Sequence, residues 1–242
     1  MSDVVIVTGA AGGLGLVYCR ALAGAGYAVV AADLTDPAEV VNELGDSCLG
    51  VQVDVTDRSS TEQLAKTVVE RFGQIDALLN NAAYYAAIVK RPFEEITDEE
   101  WARCFDVNVR GTWLCSRAVS PAMKSAGRGK IVNISSMTVP TAPPGFAHYI
   151  ASKSAIVGLT RALARELGPR HIRVNSIVPG WIMTQRQIDL WLTPEGEAEL
   201  MKRQCVKRRL VPEDVARMAL FLASDDAGAI TAQSYLVDGG WV

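Results

Sequence analysis

Tyr149 and Lys153 stand four residues apart in Tyr149-Ile-Ala-Ser-Lys153, at the start of a long apolar-periodic stretch. At helical pitch this spacing puts a phenol and an ammonium on one face, one turn apart. A phenol with an ordinary pKa near ~10 is a poor base at neutral pH. A fixed cation close by favours the phenolate and brings it towards the working range. Thirteen residues before Tyr149 lies Ser136, where Ser135-Ser136 closes the strand-like run Lys130–Ile134. A hydroxyl donor, an activated phenol and a lysine can together move a proton to or from a substrate oxygen. The same Tyr-x-x-x-Lys spacing also occurs as an exposed helix pair contributing only a few tenths of a kcal/mol. The elements that position these side chains therefore decide the reading.

The amino terminus favours chemistry. Val4–Val7 reads as a buried strand and runs directly into Thr8-Gly9-Ala-Ala-Gly12-Gly13-Leu14-Gly15, followed by a helical pattern with Leu16, Cys19, Leu22 and Ala23 on one face. Glycines between strand and helix let the backbone turn sharply and approach a ligand closely. The helix N-terminus then offers free N–H groups and positive dipole to a pyrophosphate. The spacing is Thr-Gly-x-x-x-Gly-x-Gly rather than Gly-x-Gly-x-x-Gly, with Tyr18 in the third glycine's place. A second strand run, Tyr27–Ala32, ends at Asp33, eighteen residues beyond Gly15. An acidic residue there accepts hydrogen bonds from both adenosine-ribose hydroxyls and repels a 2′-phosphate. No basic residue stands at Gly12 or Leu34, so NAD is expected rather than NADP.

With these motifs in order, the chain resembles the classical short-chain dehydrogenase/reductase family along essentially its whole length. The loop from Thr8 to Gly15, including Gly9, Gly13 and Leu14, matches that family's cofactor loop, and Asp54-Val55 its adenine-contact pair. Asn80-Asn81-Ala82-Ala83 is similar to its Asn-Asn-Ala-Gly segment, with alanine replacing the last glycine. Asn108 in Asn-Val-Arg-Gly111 takes the place of its catalytic-helix asparagine, and Ser136, Tyr149 and Lys153 complete its tetrad. Pro179-Gly180-Trp181-Ile182-Met183-Thr184 resembles the segment that holds the nicotinamide carboxamide. The resemblance implies that Tyr149 is the base and that Ser136 holds the substrate oxygen. It also implies that Lys153 both lowers the phenol pKa and binds the nicotinamide-ribose hydroxyls. Asn108 would position a water linking Lys153 to solvent, against the competing reading of a helix-interior polar group bonded to backbone.

Length and composition agree. A chain of 242 residues can bury a substantial core, and its strand-like runs near 4–8, 27–33, 48–53, 75–80, 130–135, 172–178 and 234–237 alternate with helical stretches. This predicts one α/β domain, a doubly wound Rossmann-type fold with a mostly parallel seven-stranded sheet and helices on both faces. Net charge is −3 with no basic stripe, which argues against a nucleic-acid partner. A first strand starting at Val4 leaves no room for a targeting leader, and no apolar run approaches the ~18 residues of a membrane span. Five cysteines without Cys-x-x-Cys or metal spacing read as reduced thiols of a cytoplasmic protein. Only His148 and His171 could supply imidazole, so no metal site is expected.

Residues 184–210 break the rhythm as a polar, aromatic-containing insertion after the sixth strand, where open α/β sheets bind ligands. Two readings stand: a mobile substrate lid, or a helix pair used only for packing. The segment from Gln185-Arg-Gln187 through Trp191–Glu197 to Gln204–Lys207 resembles bacterial aldose 1-dehydrogenases of the same family, which implies oxidation of a sugar to its lactone. Trp181 and Met183 would form an apolar substrate wall, with Tyr84, Tyr85 and Phe146 in loops nearby. They leave open an apolar or aromatic secondary alcohol as substrate. A non-catalytic NAD-binding regulator is the reading from another class, and retention of both Tyr149 and Lys153 argues against it. Helices near 101–126 and 148–168 carry Trp113, Ile156, Val157 and Leu163 beyond what one sheet face covers. Together with the resemblance, this implies a homotetramer pairing through these helices.

Overall fold

The computed structural model describes residues 2–85 and 88–242. The apolar runs become strands β1 (Val4–Thr8), β2 (Ala28–Asp33), β3 (Cys48–Gln52), β4 (Ala77–Asn80), β5 (Gly129–Ile134), β6 (Ile172–Pro179) and β7 (Ser234–Val237). They form one seven-stranded sheet of order β3-β2-β1-β4-β5-β6-β7, parallel at every pairing. Burial explains the order. All residues of β1, β4 and β5 are buried, as expected of strands covered on both faces, while the outermost β3 and β7 are only partly covered. The fourth strand starts at Ala77 rather than residue 75; just before it, the Asp76 backbone bonds both neighbouring segments and its carboxylate accepts the Val4 amide at 2.8 Å.

Alternation along β1 feeds two cores. Val5 and Val7 pack with Tyr18, Leu22, Val215 and Leu222, carried by helices α1 (Gly13–Gly24) and α10 (Pro212–Ala223). Val4 and Ile6 pack on the other face with Leu64, Val68, Val119 and Ala164, carried by α3 (Arg58–Phe72), α5 (Thr112–Ala126) and α7 (Ala147–Leu167). Shorter helices α2 (Ala38–Leu44), α4 (Asp98–Phe105), α6 (Thr138–Thr141), α8 (Gln185–Leu190) and α9 (Pro194–Arg203) fill the connections. Ile156 is fully buried within the chain, which corrects its reading as surplus apolar surface; Trp113 is 43% exposed and Trp101 44%.

Two departures from a regular α/β winding shape the site. The helix expected across 101–126 is interrupted by a π-helical turn, Asp106–Gly111, between α4 and α5. The excursion 184–210 is closed at its base, where the Met183 amide donates to the Leu210 carbonyl at 2.8 Å. Within it, the Thr184 and Thr193 hydroxyls cap α8 and α9, and Pro194 opens α9. The chain runs from β1 to one side of the sheet through β2 and β3, and to the other side from β4 onward. The carboxyl ends of β1 and β4 therefore frame a crevice at the topological switch point.

Candidate active site

On the β1 side of the crevice the glycine loop is fixed by close approach. Gly9 has φ +66°, and an added Cβ would lie 2.8 Å from the Ala82 Cα. At Gly15 the added carbon would lie 1.9 Å from the Gly9 carbonyl oxygen, so α1 can close on the loop only through glycine. The Thr8 hydroxyl accepts from the amides of Asn81 and Ala82 at 3.1 Å each, and the Asn81 side-chain amide donates to the carbonyls of Thr8 and Gly9 at 3.0 Å each. Gly12 supplies no capping side chain and the first turn of α1 holds no acidic residue, so amides and positive dipole remain available to an anion. Asp33 accepts from the Ala11 amide at 2.9 Å and from the Thr35 amide at 3.0 Å, which ties the end of β2 to this loop.

A cleft of about 1340 Å³ extends from this loop. It exceeds the ~300–1,000 Å³ of a site for one drug-sized ligand and suits a dinucleotide and a substrate side by side. Gly9, Gly13, Leu14, Asp33, Asp54, Val55, Asn81 and Ala82 line one part, and Ser136, Tyr149, Lys153, Pro179, Gly180, Trp181, Ile182 and Thr184 the rest. Gly15 and Asn108 do not line it; Gly15 acts through the close packing just described. Ala83 lies in the lining without positive φ, so the alanine in place of the family's glycine carries no backbone strain.

The proton-transfer residues lie on β5 and α7. Tyr149 and Lys153 are 7% and 3% exposed. The two neighbouring serines both line the cleft but divide their work: Ser135 donates its hydroxyl proton to the Lys153 carbonyl at 2.9 Å, whereas Ser136 accepts from the Thr138 amide at 3.1 Å. The Lys153 ammonium lies 5.8 Å from the centre of the Tyr149 ring, yet donates to the Ile134 carbonyl at 2.8 Å. Burial pushes the Tyr149 phenol well above its ordinary value and Tyr85 adds to this, while the Ser136 hydroxyl pulls it down. Burial also draws the Lys153 ammonium down to about 8. Four-residue spacing thus places the cation one turn away, but the protein's own groups do not bring the phenol into the working range.

Asn108 sits on the π-helical turn, a form that recurs at functional sites. Its side-chain carbonyl accepts from the Tyr84 amide at 2.7 Å, and its amide donates to the Ser152 hydroxyl at 2.9 Å. Ser152 in turn donates to the Tyr149 carbonyl at 2.8 Å. The side chain therefore bridges separate segments, and its amide also reaches the Cys104 sulfur one turn earlier, at 3.4 Å.

Sequence reasoning missed the roles of Thr8, Ser152 and Gln187. The Tyr85 ring lies 5.1 Å from that of Tyr149, tilted by 47°, and Phe146 faces Trp191 of the excursion at 6.0 Å. The Gln187 side chain joins two of the aromatics, accepting from the Trp181 indole at 2.8 Å and donating to the Tyr85 hydroxyl at 2.9 Å.

The chain is similar along its length to known proteins. The family model described as enoyl-(acyl carrier protein) reductase matches residues 9–242. The D-xylose 1-dehydrogenase of Caulobacter vibrioides is 38% identical over 239 residues, covering 98% of this chain and 94% of that protein. The cyclopentanol dehydrogenase of Comamonas sp. is 35% identical over 243 residues, covering 98% and 96%. A crystal structure described as an NAD(P)-dependent gluconate 5-dehydrogenase from Beutenbergia cavernae, with NADP bound at low occupancy, superposes with a TM-score of 0.90 at 37% identity. That likeness spans 99% of this chain and 96% of the other.

Proposed function

The chain belongs to the short-chain dehydrogenase/reductase family, and we propose that within it the protein is an NAD-dependent aldose 1-dehydrogenase. Its class is that of an oxidoreductase acting on CH–OH groups with a nicotinamide dinucleotide. The observation that carries the finer reading is the cleft itself. Ser136, Tyr149 and Lys153 share it with the glycine loop, and its outer part combines aromatic walls with the Gln187 carboxamide. Full-length similarity to the D-xylose 1-dehydrogenase supports a sugar substrate.

Gly9, Gly13, Leu14 and the N-terminus of α1 hold the pyrophosphate; Asp33 holds the adenosine ribose, and Asp54 and Val55 the adenine. Asn81, Ala82, Pro179, Gly180, Ile182 and Thr184 shape the nicotinamide side. The bound dinucleotide supplies the hydride acceptor and a positive ring charge. Tyr149 takes the proton of the substrate hydroxyl, Ser136 donates a hydrogen bond to that oxygen, and Lys153 binds the nicotinamide-ribose hydroxyls. Asn108 positions the Tyr149 turn of α7 through Ser152. Screening the purified protein with NAD against pentoses, hexoses and simple secondary alcohols, by absorbance of the reduced cofactor, tests the reading. Turnover of alcohols without any aldose would overturn it in favour of an apolar secondary alcohol. The wall of Met137, Phe146, Trp181 and Trp191 supports that second reading, as does similarity to the cyclopentanol dehydrogenase; Met183, expected in that wall, is buried and does not line the cleft.

NAD preference rests on Asp33, whose charge repels a 2′-phosphate, and on the absence of a cation at Leu34. Asp33→Ala is expected to narrow the ratio of kcat/KM for NAD over NADP by about tenfold or more, mainly by weakening NAD, since a hydrogen bond to a charged group contributes about 1.5–3 kcal/mol. An NADP preference in the unmodified protein would refute the assignment.

Three further assignments accompany this function. The excursion 184–210 acts as a substrate lid, supported by its closed base and its Trp191–Phe146 contact. The protein is a homotetramer, supported by exposed Trp101 and Trp113 on α4 and α5; light scattering at micromolar concentration should give four chains, and a monomer would exclude this. Five unpaired cysteines support the cytoplasm as its compartment. Among the described residues no helix is long and apolar enough to cross a membrane.

A further inference from the structure

The Trp181–Gln187–Tyr85 chain has a fixed direction. An indole N–H can only donate, so the Gln187 carboxamide must turn its oxygen to Trp181 and its nitrogen to Tyr85. The Tyr85 oxygen is thereby engaged as an acceptor, and its own hydrogen is left to donate elsewhere. Tyr85 lines the cleft, with its ring 5.1 Å from that of Tyr149. Gln187 retains one N–H and one carbonyl lone pair beyond these two bonds. Trp181 and Gln187 lie on the excursion and its approach, whereas Tyr85 follows β4, so the chain spans the mouth of the cleft.

We propose that Gln187 is a specificity-determining residue that, held by Trp181, orients Tyr85 as a hydrogen-bond donor to a hydroxyl oxygen on the carbon next to the reacting one. This deepens the sugar reading and rests on it: the site selects vicinal diols over isolated secondary alcohols. The discrimination arises because a substrate lacking the second hydroxyl leaves the Tyr85 donor unpaired in a partly desolvated cleft.

The probes are trans-1,2-cyclohexanediol and cyclohexanol, which share a ring and differ by one hydroxyl. The native protein should show a kcat/KM for the diol about tenfold above that for cyclohexanol, the order of leaving one hydrogen-bond donor unpaired. Tyr85→Phe should reduce that ratio towards unity. Gln187→Glu separates direction from packing. It keeps the side chain's shape, but a carboxylate accepts from both Trp181 and Tyr85, turning the Tyr85 hydrogen away from substrate. It should therefore lose the diol preference as Tyr85→Phe does. An equal kcat/KM for the two probes in the native protein would overturn the proposal. So would variants that lower both substrates by the same factor, or a Gln187→Glu protein with native preference. A protein that prefers the diol but oxidises no aldose would keep this inference and remove only the sugar assignment.

Discussion

Tyr149→Phe should lower kcat by about 10²–10⁴-fold, the contribution of a positioned acid–base group, while leaving the dissociation constant for NAD little changed. The substitution removes one oxygen at a site 7% exposed and keeps the ring that packs beside Tyr85. Burial holds the phenol above its ordinary range, so its ionisation depends on charge placed beside it. Lys153→Ala should differ in kind, because the same ammonium is assigned to the cofactor ribose; both kcat and NAD affinity should fall. Turnover by Tyr149→Phe within tenfold of the native protein would remove Tyr149 as the base.

Gly15→Ala should abolish dinucleotide binding and destabilise the fold by about 3 kcal/mol, the upper range for overpacking. Its methyl group would stand 1.9 Å from the Gly9 carbonyl oxygen, itself held at 3.0 Å by the Asn81 amide, so relief requires moving the loop that forms the phosphate site. Gly12→Ala is the control on the same loop: nothing lies within 4 Å of the added carbon, and the backbone there is extended. Thermal unfolding and NAD titration of the pair measure the difference. Native affinity in Gly15→Ala would contradict the close approach.

The sheet was legible because its central strands are covered on both faces and therefore read as unbroken apolar runs, as in Val4–Val7 and Ile131–Ile134. The glycine loop and the Ser136–Tyr149–Lys153 spacing were legible because short motifs carry their own geometry. Burial was not. The Tyr-x-x-x-Lys spacing announces a nearby cation, but says nothing of the desolvation that raises the phenol or of the Ile134 carbonyl that takes the lysine's hydrogen bond. Ile156 looked like interface surface because periodicity shows an apolar face without showing what covers it; α7 packs against β6 and also against α4. The π-helical turn at Asn108 follows the same apolar pattern as a regular helix and left no signal. The Gln187–Tyr85 contact left no signal because the two residues stand 102 apart in sequence.

The proposed reaction is hydride transfer from the anomeric carbon of a sugar to NAD with Tyr149 as base. Pentoses and hexoses deuterated at that carbon, incubated with NAD and the native protein, test it directly by mass spectrometry of the reduced cofactor. Deuterium is expected in the reduced nicotinamide, with a lactone as the carbon product, and neither with Tyr149→Phe. Reduced cofactor without the label, or label transfer that persists undiminished in Tyr149→Phe, would contradict it.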